Sequence, residues 1–244
     1  MTFAALDRRE LPWREPLSVA AALRRHDGAL ALLSDGGALG RWSWVAADPD
    51  LAWDGPLQEG LARLADPAWG GETVGLLAYD AGARAATGPR EAVWPDVMLA
   101  RYPAMLAFDH RARRVFALGR GDDAAAAARA ADRAGAWHDQ AVDLPSPPPP
   151  ATGFEAEAPE AAYLAAVADV VHRIAAGELF QANIARAWSG VLRGDADPFD
   201  VLARLAGREA AFGAFWRLGD RALVSNSPEL FLTFDPADGR IETR

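Results

Sequence analysis

The chain has 244 residues and a mass of 26.0 kDa, and 51% of its residues are hydrophobic, enough to bury the core of one large domain or two small ones. Its 34 acidic residues exceed its 25 basic ones, and a formal charge of −9 argues against a nucleic-acid partner held by phosphate neutralisation. All the basic residues are Arg, and neither Lys nor Cys occurs, so the chain supplies no lysine nucleophile, disulfide, thiolate or Cys-ligated zinc.

The opening Met1-Thr2-Phe3-Ala4-Ala5-Leu6-Asp7-Arg8-Arg9-Glu10 reaches charge before a signal-length apolar stretch develops. No window approaches the roughly 18 uninterrupted apolar residues of a membrane span. A soluble, cytoplasmic protein with no membrane partner is the expectation. In chain order, Pro16 to Arg25 predicts a helix stopped by Gly28, and Ala29 to Leu33 predicts a buried strand. Asp35-Gly36-Gly37 turns the chain, and the aromatic alternation of Arg41-Trp42-Ser43-Trp44-Val45 suits a pleated surface that Asp48-Pro49 closes. Thr73 to Tyr79, Met98 to Phe108 and Arg114 to Leu118 read as strands, the last two joined through Asp109-His110. Asp122-Asp123 opens a helix through the alanines Ala124 to Ala128. The result is a β-rich layer flanked by helices, α+β in class.

The proline-rich stretch 144–153 divides the sequence into regions 1–143 and 154–244. Glu160 to Ala176 places Leu164, Val167, Val171 and Ile174 on one helical face, between Pro159 and Gly177. Phe180 to Leu192 alternates apolar and polar residues as a strand does. Asp197-Pro198 opens a helix that Gly207 ends. Phe212 to Leu218 and Ala222 to Val224 follow as strands. Leu230 to Phe234 and Arg240 to Arg244 flank a turn at Asp235-Pro236-Ala237-Asp238-Gly239, which reads as a hairpin. The sequence stops inside a strand, and truncation is the expectation.

His26, His110, His138 and His172 lack metal-type spacing and read as surface or turn histidines, and most of the nine tryptophans read as core. One feature carries chemistry. In Ser225-Asn226-Ser227-Pro228-Glu229-Leu230-Phe231-Leu232 a polar cluster leaves an apolar strand, bends at Pro228 and returns through a carboxylate. Glu229, beside hydroxyl and amide groups, is placed for general acid or base work; the plain alternative is a turn with a solvated Glu.

Gly177-Glu178-Leu179-Phe180-Gln181-Ala182-Asn183-Ile184, Asp197-Pro198-Phe199, the segment around Glu229, and Glu242-Thr243-Arg244 resemble, in order, the chorismate-binding enzymes. Leu32-Leu33-Ser34-Asp35, Gly40 through Pro49, and Gly75-Leu76-Leu77-Ala78-Tyr79-Asp80 resemble the amino-terminal part of that family. The family includes aminodeoxychorismate synthase component I and anthranilate synthase component I, and the short amino terminus and Phe180-Gln181-x-Asn183 look closer to the aminodeoxychorismate branch. The resemblance implies antiparallel sheets packed face to face with helices outside, apparently without the carboxyl-terminal half. It implies Glu229 as catalytic acid/base, chorismate as substrate, and ammonia from a glutamine amidotransferase subunit. It also implies Mg²⁺ and a lysine in a Pro-Ile-Lys-Gly-Thr motif directly after Thr-Arg. The metal ligands and that lysine belong to the absent half, so no metal ligand is named here. The product would be 4-amino-4-deoxychorismate, for folate synthesis.

Some members bind tryptophan at positions matching Asp35, Leu39, Gly40, Arg41, Trp42, Ala211, Phe212 and Gly213. Asp35 stands where the family typically has Ser, and Ala211 where it has Pro. Two other readings stay open: anthranilate synthase, which usually carries Ala at the lysine position, and a non-catalytic module that binds an aromatic amino acid.

Overall fold

A computed structural model of the chain describes residues 4–88, 94–144, 147–208 and 211–243. The chain packs as two units, Met1–Ser146 with Leu202–Arg244, and Pro147–Val201. The expected division into 1–143 and 154–244 follows the sequence, whereas the packing returns the last forty or so residues to the first unit. Of the proline-rich stretch, residues 145 and 146 lie outside the described residues, as does Arg244 at the end of the last expected strand.

In the first unit the elements run β1 (Ala5–Leu11), α1 (Pro16–Leu23), β2 (Leu30–Leu33), β3 (Trp42–Ala46), β4 (Leu51–Gly55), α2 (Leu57–Ala65), β5 (Thr73–Leu77), α3 (Tyr79–Thr87), β6 (Val97–Arg101), β7 (Ala104–Asp109), β8 (Arg114–Gly121) and α4 (Ala124–Asp139). The second unit holds β9 (Glu155–Ala156), α5 (Glu160–Ala175), β10 (Trp188–Ser189) and the start of α6 (Pro198–Leu205). The first unit then gains β11 (Phe212–Leu218), β12 (Arg221–Ser227), β13 (Thr233–Asp235) and β14 (Arg240–Glu242).

Every pairing between these strands is antiparallel. One sheet has seven strands in the order β1-β8-β7-β3-β2-β11-β12, and another has three, β4-β6-β5. The expected single strand from Met98 to Phe108 is two strands in different sheets. Tyr102-Pro103 is the joint, because Pro103 has no N–H to give a ladder and the chain changes sheets there. The two sheets pack face to face over Leu30, Ala46, Met98, Ala100, Met105 and Trp216. The Tyr102 hydroxyl lies in that core: it donates to the Gly28 carbonyl at 2.6 Å and accepts from the Trp216 indole N–H at 2.7 Å. Burial pushes its pKa up, so it stays a neutral donor.

Asp123 caps α4 by accepting from the Ala126 N–H at 2.7 Å, as the acidic helix start predicts. This helix lies flush on β8. A Cβ at Gly119 would sit 2.1 Å from the Ala127 carbonyl oxygen and 2.2 Å from the Ala131 nitrogen, so only glycine permits the approach.

The strand expected from Thr73 to Tyr79 ends at Leu77, and α3 begins at Tyr79. β1, β4 and α2 are further elements of the first unit; β1 is an edge strand whose alternating half-buried and exposed residues are largely charged. In the second unit, α5 matches the predicted helix, with Gly177 just beyond it at φ +76°. The predicted face of α5 is not covered, and no residue of that helix is buried. The expected strand from Phe180 to Leu192 is reduced to Trp188–Ser189, paired with Glu155–Ala156. Its alternation lacks a longer partner strand, and a ladder needs one. Among the described residues no helix is long and apolar enough to cross a membrane.

Replacing Tyr102 with Phe leaves the Trp216 N–H and the Gly28 carbonyl buried without partners, and should cost about 2–4 kcal/mol. Chemical denaturation of Tyr102→Phe against the parent chain measures it. A loss below about 0.5 kcal/mol would show that the hydroxyl is not the tie described here.

Candidate functional site

Strand register assembles one cavity in the first unit. Asn226 on β12 pairs with Gly213 on β11, and Gly213 pairs with Leu33 on β2. Leu32 pairs with Trp44, which brings Leu33 beside Ser43 on β3. Side chains in one such row point to the same face, and Leu33, Ser43, Gly213 and Asn226 all line a cavity of about 260 Å³. Glu15 and Leu17 from the start of α1, and Leu202 from α6, complete its walls.

The polar part of this cavity is built around Ser43, which is fully buried. Its hydroxyl oxygen accepts from the Ser34 N–H at 2.9 Å and lies 2.7 Å from His110 Nε2. Trp13 meets the His110 ring edge-on at 5.4 Å between centroids. Burial lowers the His110 pKa from its ordinary value; Glu15, Asp109 and Asp35 oppose that and Arg113 adds to it. The loop after β2 passes close overhead. Gly36 has φ +73° against the His110 ring, and a Cβ at Gly40 would fall 1.8 Å from the Ser34 hydroxyl. Neither position tolerates a side chain without moving the loop.

Of the eight residues expected around a tryptophan-type ligand, Asp35 and Gly213 line this cavity. Gly40 packs beside it against Ser34, with the Ala211 carbonyl oxygen 3.1 Å from its missing Cβ. Leu39 is exposed on the same loop. Phe212, adjacent to Gly213 on β11, alternates to the opposite face. Trp42 does the same relative to Ser43: it stacks on Trp44 at 5.8 Å and is not a cavity residue. Arg41 is an anchor. Its Nε lies 3.1 Å from both Asp109 carboxylate oxygens, and the Arg111 and Ala112 N–H groups also donate to Asp109 at 3.1 Å. Arg41 and these donors hold the Asp109 carboxyl down at about 2.

The sequence reads His110 as a surface or turn histidine, whereas it is partly buried against Ser43, and it gives Ser34, Ser43 and Glu15 no role of their own. The available signal was Ser43 itself, a small polar residue between two tryptophans on a strand, and so the residue facing away from the aromatic layer.

Glu229 follows the end of β12. With Ser227, Leu230, Phe231 and Thr243 it lines a separate depression of about 350 Å³. The Ser227 hydroxyl donates to the Glu229 carbonyl at 3.2 Å and so closes the turn around Pro228. Glu229 is exposed, and Phe231 beside it is 87% exposed. Thr243 comes from the Glu242-Thr243-Arg244 motif, so two separated stretches of sequence meet here. Among the described residues, no three His, Cys, Asp or Glu side chains converge to hold a metal ion. The described side chains thus offer no ready ligand set for magnesium.

Comparison with known proteins now gives the class. The sequence pattern of the chorismate binding enzymes matches residues 47–244, and the chain belongs to that family. In fold it is similar to anthranilate synthase component I from Streptococcus pneumoniae TIGR4, with a TM-score of 0.59 and 16% identity over 81% of this chain and 52% of that one. It is also similar to MenF, the menaquinone-specific isochorismate synthase from Escherichia coli, with a TM-score of 0.55 and 14% identity over 95% of this chain and 52% of that one. The chain thus spans about half the length of each. No curated protein matches it.

Burial holds the His110 pKa in the fold below the pH of about 6.5 at which the unfolded chain takes up the proton. Its contribution to stability is therefore present above that pH and is lost as pH falls below it. In urea titrations from pH 7.5 to 5, the parent chain should lose stability more steeply than His110→Gln. Parallel pH profiles would remove His110 as the cause.

Proposed function

We propose that this chain is the amino-terminal portion of an aminodeoxychorismate synthase component I. The reaction replaces the ring hydroxyl of chorismate with an amino group: chorismate and ammonia give 4-amino-4-deoxychorismate and water. The single observation that carries the reading is the meeting of Ser227, Glu229 and Thr243 in one depression. Two separated stretches that resemble the chorismate-binding enzymes thus meet at one carboxylate.

In this reading Glu229 works as the proton carrier. It delivers a proton to the departing hydroxyl, which leaves as water, and it recovers one from the incoming nitrogen. Leu230 and Phe231 supply an apolar wall against the carbocyclic ring. The reading also needs a covalent lysine nucleophile and magnesium ligands; the sequence contains no Lys, and no metal-binding cluster occurs among the described residues. Ammonia comes from a glutamine amidotransferase subunit, and synthesis takes place in the cytoplasm.

The Ser43–His110 cavity has a different role here, as the tryptophan-type pocket. Glu15 and Asp35 face the amino group of an aromatic amino acid, and Leu17, Leu33 and Leu202 face its ring. Calorimetric titration with tryptophan should give saturable heat. That heat should survive Gly213→Ala, whose Cβ meets Leu33 only at ordinary contact distance, and disappear in Gly213→Leu, which fills the cavity. Equal binding by both variants would move the ligand elsewhere.

The enzyme reading is tested on the longer polypeptide that carries this chain, supplied with chorismate, magnesium and an ammonium salt. The product should be 4-amino-4-deoxychorismate; anthranilate would favour anthranilate synthase component I instead. Glu229→Gln should lower turnover by about 10²-fold or more and leave the chorismate KM within a few-fold. Unchanged turnover would take Glu229 out of the mechanism, and tryptophan binding with no conversion of chorismate would favour a non-catalytic module.

A further inference from the structure

A third concave surface in the first unit is walled by arginines. The amino-terminal part of α4 and the ends of β6 and β8 border an open depression of about 430 Å³ lined by Arg101, Arg120 and the exposed Arg129 and Arg133. On α4 the lining positions are Ala126, Arg129, Ala130 and Arg133, spaced three and four residues apart and hence on one face. The alanines leave the space that longer side chains would fill. The helix is pressed onto β8 by the glycine contact described above, so this face is held close to Arg120.

Two of the four charges are already balanced. Arg101, only 7% exposed, is clamped by Asp50 through two hydrogen bonds of 2.9 and 2.7 Å, and Arg120 pairs with Glu72. Arg129 and Arg133 differ. They carry like charges one helical turn apart and have no carboxylate partner among the described residues; Arg133 has only the Trp137 ring, 5.7 Å from its guanidinium. Of the lining carboxylates, Asp50 is committed to Arg101, which leaves Asp122 at the rim. Like charges at this spacing destabilise a helix unless a counter-charge lies between them. A guanidinium pair of this kind presents planar N–H donors that fit the oxygens of a phosphate or carboxylate two at a time.

We infer that this depression binds a small oxyanion, the phosphate or carboxylate group of a metabolite, between Arg129 and Arg133. The site is independent of the chorismate reading and survives its failure. It places a second, anion-specific ligand on a chain whose net charge is −9.

Isothermal calorimetry on this chain with inorganic phosphate, and separately with malonate, tests it at matched ionic strength in chloride. Saturable heat is expected from at least one of the two, and which one responds identifies the oxyanion. Arg129→Gln/Arg133→Gln should raise that Kd by about 10-fold or more, because each charge-assisted bond is worth roughly that factor. Thermal melting controls for folding: in chloride the double variant should melt at or above the parent temperature, since the like-charge pair is gone. Phosphate stabilises proteins generally by exclusion from their surface, so only the extra shift in the parent counts. If the double variant fails to fold, the single variants Arg129→Gln and Arg133→Gln carry the same comparison. No saturable heat with either anion, or equal affinity in parent and variants, overturns the inference.

Discussion

One buried hydroxyl ties the first unit together. Tyr102 sits at the joint where the chain passes from the three-stranded sheet to the seven-stranded one. Its oxygen bridges the Gly28 carbonyl, just before β2, and the Trp216 indole on β11. Three segments far apart in sequence are thus fixed at one point. Residues from both sheets pack around it, Leu30 and Met105 from one and Met98 and Ala100 from the other. A phenol without both partners would cost free energy in such a core rather than contribute it. The bridge therefore works as a condition on the fold: β11 must come back alongside β2 for the joint to be satisfied.

The pairing of β11 with β2 has consequences further along the same strands. Trp216 opposite Leu30 forces Gly213 opposite Leu33 three residues away, and β12 then sets Asn226 in the same row. That row is the wall of the Ser43–His110 cavity. Two residues past the end of β12, the chain has turned at Pro228 and reached Glu229. One register choice, anchored in the core, therefore positions the cavity wall and the segment leading to Glu229. A one-residue slip would turn Gly213 and Asn226 to the far face. Such a slip is opposed by the Trp216 hydrogen bond, because it would carry the indole away from Tyr102.

Local signals in the sequence were reliable where a single residue type decides the outcome. Asp123 as a cap, Gly177 beyond α5, the alternation around Trp42, and the turn between β13 and β14 were all legible, because capping, positive φ and period-two burial act over a few residues. The division of Met98 to Phe108 between two sheets was not legible. Both halves are buried and apolar, and periodicity does not say which sheet a buried strand joins. The partly buried place of His110 was not legible for a related reason. Its partner Ser43 lies 67 positions away, and nothing in the local pattern of either residue announces the other. The order of motifs around Glu229 was readable, whereas its meeting with Thr243 depends on how β12, β13 and β14 pack.

The exposure of Glu229 sets a physical requirement on any catalytic reading. A carboxylate in open water is screened and hydrated, and general acid work near neutral pH depends on desolvation or on a neighbouring charge to retune it. The described residues supply an apolar floor, Leu230 and Phe231, and a hydroxyl at Thr243, but they leave the carboxylate side open. A catalytic reading therefore needs an enclosing surface that these described residues do not supply. Phe231, with nearly all its area in solvent, marks where that surface would gain most from contact, since covering a phenyl ring is worth about 1.5–3 kcal/mol. This chain spans about half of each matched structure. In the Ser43–His110 cavity, by contrast, Ser43 is already paired with the Ser34 N–H and with His110.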